Sequence, residues 1–169
     1  MTRDALLPVL VFVLIGTGCV AGGGDDEMVT CDFNGPAWAL GGGGTQQTGF
    51  VNLSDGAEMT VTLGPQGLNM VTPSIRVQNM YPGKAGRTGN PNDPTVLVEL
   101  FINGQAVGGS ARENLGLRVS ADGADALGIF APFTIDLDEY LGKMVTVRGT
   151  VEDACGRSAS DELEILAIQ

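Results

Sequence analysis

The 169-residue chain sets nine Lys and Arg against twenty Asp and Glu, and its net charge of −11 is the wrong sign for a nucleic-acid backbone or an anionic lipid surface. It contains no His, which excludes Ser-His-Asp and Cys-His catalysis and any zinc site built on imidazole, and three scattered Cys do not supply a Cys-only site. The length suits one domain with its own core, and 26 Gly with few aromatics favour short strands and turns over helices.

Arg3 precedes an apolar run over residues 5–15, and small residues follow, the layout of a secretory signal peptide over residues 1–18. The run is too short for a transmembrane helix, which needs about 20 apolar residues. Its exit, Leu14-Ile15-Gly16-Thr17-Gly18-Cys19, resembles the lipobox of bacterial lipoproteins, with Gly16 where Leu is usual. The resemblance implies that Cys19 is lipidated and becomes the mature N-terminus. Several acyl chains at about 0.8 kcal/mol per buried methylene would then hold the protein to a membrane. Val20 after the cysteine implies, by the usual sorting pattern, the outer membrane of a Gram-negative cell envelope. The alternative is cleavage after Ala21 and release as a periplasmic or secreted protein.

Residues 19–48 read as the lipidated cysteine, a flexible Gly-rich tether and an N-terminal segment. Residues 20–27 have no apolar period, and the Gly-Gly-Gly-Gly-Thr run at 41–45 lacks the Lys of a phosphate-binding loop, so it reads as linker. Trp38 and Leu40 are the first residues expected to touch the core.

The domain proper is expected over residues 49–169. Met59, Val61 and Leu63 alternate with Thr60 and Thr62, and Gly64-Pro65-Gln66-Gly67 makes a turn. Ile75 and Val77 then sit on the opposite parity to Leu68 and Met70, with Pro73 between, which predicts a bulge or crossing. Residues 81–94 form the longest loop and hold Lys84 and Arg87. Val96, Val98, Leu100 and Ile102 predict a strand, central because Leu97 and Phe101 occupy its other face, and Asn103-Gly104 predicts a tight hairpin. Weaker strands are expected at 115–119, 127–130 and 133–137. Val145, Val147, Gly149 and Val151 alternate with polar residues, as do Leu163 and Ile165, so residues 144–168 read as a closing hairpin with Cys155 in its turn. Seven to nine short strands with regular turns describe an antiparallel β-sandwich.

Export places the chain in an oxidising compartment, and removing or lipidating Cys19 leaves two thiols with one possible pairing. A disulfide between Cys31 and Cys155 follows. It would pin the N-terminal segment to one end of the sandwich.

From residue 49 to 168 the chain resembles an immunoglobulin-like β-sandwich. More narrowly, the strand-Gly-Pro-Gln-Gly-strand unit at 59–77 and Val147-Arg148-Gly149-Thr150-Val151-Glu152-Asp153-Ala154-Cys155-Gly156-Arg157 resemble a group of uncharacterised bacterial lipoproteins. That resemblance implies location and fold and brings no activity.

Acidic groups fall near strand ends: Asp122 and Asp125, Asp136, Asp138 and Glu139, Glu152 and Asp153, Asp161 and Glu162. Calcium takes six to eight oxygens in roughly this chemistry, but no Asp-x-Asp-x-Asp run is present. A carboxylate-based hydrolase needs two of them facing across a cleft. The expectation is a non-catalytic, lipid-anchored cell-envelope module that binds a protein or glycan or is structural, with no cofactor and no catalytic residue. A calcium-dependent adhesion or sugar-binding domain is the second reading and a carboxylate hydrolase the third. Convergence of the acidic side chains in the fold is the observation that separates them.

Overall fold

Short apolar runs interrupted by Gly, Pro and Asn fold as strands along the whole described chain. In the computed structural model, which describes residues 28–169, they begin with β1 (Trp38–Thr45), β2 (Gly49–Asn52), β3 (Ala57–Thr60) and β4 (Thr62–Leu63). They continue through β5 (Asn69–Val71), β6 (Ser74–Gln78), β7 (Thr95–Ile102), β8 (Gln105–Gly109) and β9 (Glu113–Asn114). Then come β10 (Arg118–Ser120), β11 (Gly123–Ala126), β12 (Ala131–Pro132), a one-turn helix α1 (Leu137–Tyr140), β13 (Met144–Glu152) and β14 (Ser158–Ile168). The expected signal peptide and Cys19 lie outside the described residues.

Three sheets result. The first has the order β10-β11-β6-β1-β2 and is antiparallel throughout. The second runs β3-β14-β13-β7-β8, with β9 also paired to β7, and only its β14–β3 pair is parallel. A small third sheet, β12-β5-β4, lies beside them. Ala39, Ile75, Val77 and Ala126 from the first sheet share one buried cluster with Val98, Leu100, Val147 and Leu163 from the second, which makes the domain an all-β sandwich. The sheets pack tightly at Gly149, where an added Cβ would stand 2.5 Å from Cδ1 of Ile75.

The closing hairpin follows the alternation in its sequence. Val145, Val147, Gly149 and Val151 face the core, and nine register pairs join β13 to β14. β7 lies centrally between β13 and β8, as its two apolar faces require. Asn103 and Gly104 both take positive φ (50° and 77°), the geometry of a type I′ hairpin. The parity change at buried Pro73 is a crossing: β5 belongs to the third sheet and β6 to the first.

Other expectations need correction. The Gly-rich run at 41–45 is not linker but the second half of β1, an interior strand of the first sheet, so the sandwich starts at Trp38 rather than 49. Trp38 is 44% exposed and Ala39 is the buried residue, because the alternation along β1 has the opposite phase. The strand expected at 127–130 is displaced to β11. At 133–137 the strand gives way to α1, whose start is marked by the amide of Asp136 donating to Glu139 Oε1 at 3.3 Å. Among the described residues fourteen strand segments replace the seven to nine expected, because sheet crossings and two-residue pairings (β4, β9, β12) divide the runs.

Candidate functional site

At one end of the sandwich the β13–β14 turn gathers the N-terminal segment. Cys31 and Cys155 form the expected disulfide, with Cα atoms 5.6 Å apart. Asp153, buried at the base of the turn, accepts from the amides of Cys155 and Arg157 on Oδ1, both at 2.9 Å, and from the amide of Tyr81 on Oδ2 at 2.7 Å. Both carboxylate oxygens thereby fix the loop that presents Cys155 and tie it to the end of the neighbouring sheet. Arg157 donates to the carbonyl of Gly35 and lies over the ring of Phe33 at 5.3 Å, while Asn79 Nδ2 donates to the carbonyl of Pro36 at 3.0 Å. Residues 31–37 are thus attached to the sandwich by one covalent bond and a few polar contacts.

The acidic clusters do not converge. Asp125 grips Arg76 with both oxygens, at 2.7 and 3.0 Å, and Asp122 adds a weaker contact at 3.4 Å. The Asp125 hydrogen bond raises the pKa of that guanidinium, which also lies 4.5 Å from the Phe50 ring. Glu152 pairs with Arg112 at 2.6 Å, Glu162 with Arg148 at 2.7 Å, and Asp161 accepts from the amide of Gly41 at 2.8 Å. Asp125, Glu152, Asp161 and Glu162 are engaged at separate places, and among the described residues no group of three or more Cys, Asp and Glu is placed to hold a metal ion.

What the fold does build is a cleft of about 580 Å³ on the flank of the sandwich. It lies between the β10–β11 edge of the first sheet and the β7–β9 edge of the second, with Val96 and Ala126 reaching its floor from the core. One wall is the long loop at 81–94, which an ion pair holds in shape. Asp93 is buried and accepts from Arg87 Nε and Nη2, both at 2.7 Å, and from the amide of Lys84 at 3.1 Å. Burial alone would raise the pKa of Asp93, but the Arg87 guanidinium and the Lys84 amide outweigh it and hold the carboxyl below its ordinary value.

The segment between β9 and β10 fits this loop closely. The amides of Leu115, Gly116 and Leu117 donate to the carbonyls of Pro94, Arg87 and Pro82 at 2.8, 2.8 and 2.7 Å. Gly116 has no alternative there, because a Cβ would collide with the carbonyl of Lys84. At the mouth, exposed Arg118 donates from Nη1 to the carbonyl of Gln46 at 2.9 Å, and Phe130 leaves 59% of its surface in solvent. Glu113, also exposed, and Ser110 complete a lining that mixes polar edges with apolar floor.

Of the site residues expected from the sequence, Cys31 and Cys155 meet, and Cys19 lies outside the described residues. Arg87, singled out in the long loop, stands in the cleft wall. Arg118 and Phe130 carried no signal of their own: Phe130 belonged to an expected strand, and one arginine in a weak strand is unremarkable. Comparison of the chain with protein-family models, with curated proteins and with solved structures finds no match.

Proposed function

We propose that this chain is a non-catalytic, lipid-anchored cell-envelope module, tethered through Cys19 to the outer membrane, that binds a protein or glycan with an immunoglobulin-like sandwich. The Cys31–Cys155 disulfide carries the reading, since such bonds persist in oxidising compartments and this one ties the segment following the expected tether to the folded domain. The cleft supports a binding role over a catalytic one. It is lined by two carboxylates, Glu113 and Asp125, and Asp125 has both oxygens engaged by Arg76, so no free pair faces a substrate. The dispersal of the acidic side chains removes the main motive for the calcium reading.

Membrane fractionation tests the anchor. Wild-type chain is expected in the outer-membrane fraction and the Cys19→Ser variant outside it. Wild-type protein that is soluble with a mature N-terminus at Gly22 would end the lipoprotein reading.

A further inference from the structure

We propose that the flank cleft recognises a sugar unit bearing a single carboxylate, such as a uronic acid residue within a glycan. Arg118 would take the carboxylate and Phe130 the apolar face of the ring. The inference deepens the binding-module reading above and rests on it.

The charge at the mouth comes first. Among the described residues six arginines are present, and Arg76, Arg87, Arg112 and Arg148 are each paired with carboxylates. Arg157 is engaged by the carbonyl of Gly35 and the ring of Phe33. Arg118 has one hydrogen bond, to the carbonyl of Gln46, and no ion pair, so most of its five donors remain available. A guanidinium anchored at one nitrogen and otherwise open matches a planar carboxylate. The net charge of −11 repels a polyanion, so one acid group on an otherwise neutral ligand fits where a highly charged one does not.

The cavity and its rim set the remaining chemistry. About 580 Å³ accommodates one or two sugar rings. Phe130 is an aromatic face exposed at the rim, suited to the C–H face of a pyranose. Gln46 and Glu113 place an amide and a carboxylate in the lining, groups of the kind that read sugar hydroxyls, while the Ser110 hydroxyl is engaged by the amide of Val98 and the carbonyl of Ala111.

A peptide is the less suitable occupant. Extended peptides add to a sheet edge through backbone hydrogen bonds. The edge strands beside this cleft, β9 and β10, are two and three residues long. The amides of residues 115–117 between them already donate to the long loop.

Calorimetric titration of the full chain with an aldobiouronic acid (one uronic acid linked to one neutral sugar), its methyl ester and a neutral glucose disaccharide tests the proposal. The aldobiouronic acid should bind, with the ester and the neutral sugar weaker by roughly tenfold or more, the worth of a charge-assisted pair. Arg118→Gln should abolish the preference for acid over ester, whereas Phe130→Ala should weaken both alike. Both positions are exposed, so thermal melting should show each variant as stable as wild type. Failure of the aldobiouronic acid to bind, equal binding of acid and ester, or an unchanged preference in Arg118→Gln overturns the proposal. An acidic peptide that binds at the cleft when the sugars do not overturns it while leaving the binding module intact. Loss of the anchored reading itself shows separately, in fractionation.

Discussion

The ring of Phe50 lies where a side chain on Gly42 would have to stand. A Cβ on Gly42 would come 2.5 Å from Cζ of that ring and 2.5 Å from the carbonyl oxygen of Val51. Gly43, its neighbour on the other face, would meet Leu53 Cδ1 at 3.2 Å, a contact that a flexible side chain can relieve. Gly42→Ala is therefore expected to destabilise by about 1–3 kcal/mol, as overpacking does, and Gly43→Ala by less. Urea unfolding of both variants checks the order. Equal costs would mean that β1 is not packed this way.

The same contact explains why the start of the domain was illegible. Glycine ordinarily weakens a strand and marks linkers, and nothing local in a Gly-rich run reveals a ring eight residues later that needs the space. The closing hairpin was legible because its partner is adjacent and its face is written in strict alternation from Val145 to Val151. The disulfide was legible from cysteine arithmetic together with the expectation of export. The cleft was not. It is assembled from Gln46, Arg87, Arg118 and Phe130, which are scattered along the chain and brought together by sheet order, and sequence spacing carries no trace of that.

Reduction of Cys31–Cys155 should lower stability by about 4–5 kcal/mol in the chain-entropy account, because the bond closes a loop across 124 positions of sequence. Denaturant midpoints with and without reductant, compared with the Cys31→Ser/Cys155→Ser double variant, measure it. The reduced wild type and the double variant should agree. A midpoint indifferent to reductant would show that the bond closes nothing that unfolding releases.

The Arg87–Asp93 pair predicts an acid limb. A carboxyl held below its unfolded pKa of about 3.9 adds stability above that pH, and the contribution is lost as pH falls through the folded value. Asp93→Asn should cost up to about 3 kcal/mol at neutral pH, toward the low end for a buried pair because Arg87 stays partly exposed. It should also flatten the stability profile below about pH 4 relative to wild type. Melting temperatures from pH 2 to 7 check this, and parallel profiles for the two proteins would sink it.

Asp153 connects turn chemistry to the hold on the N-terminal segment. Its two oxygens receive the amides of Tyr81, Cys155 and Arg157 in a site that is 6% exposed, so Asp153→Ala strands donors that water reaches poorly. At about 1–3 kcal/mol for each buried unsatisfied group, a loss of roughly 3 kcal/mol or more is expected. Asp153→Asn should fall between, since its amide keeps one acceptor oxygen and turns a second donor toward a backbone N–H. The distinguishing effect is local. With the turn loosened, Cys155 is no longer held against Cys31 by its own backbone, and the disulfide should be reduced faster by dithiothreitol under native conditions. Rates of thiol appearance in wild type, Asp153→Asn and Asp153→Ala, taken well below each melting temperature, should rise in that order. Identical rates would show that the disulfide alone, and not the carboxylate beneath it, fixes the end of the sandwich.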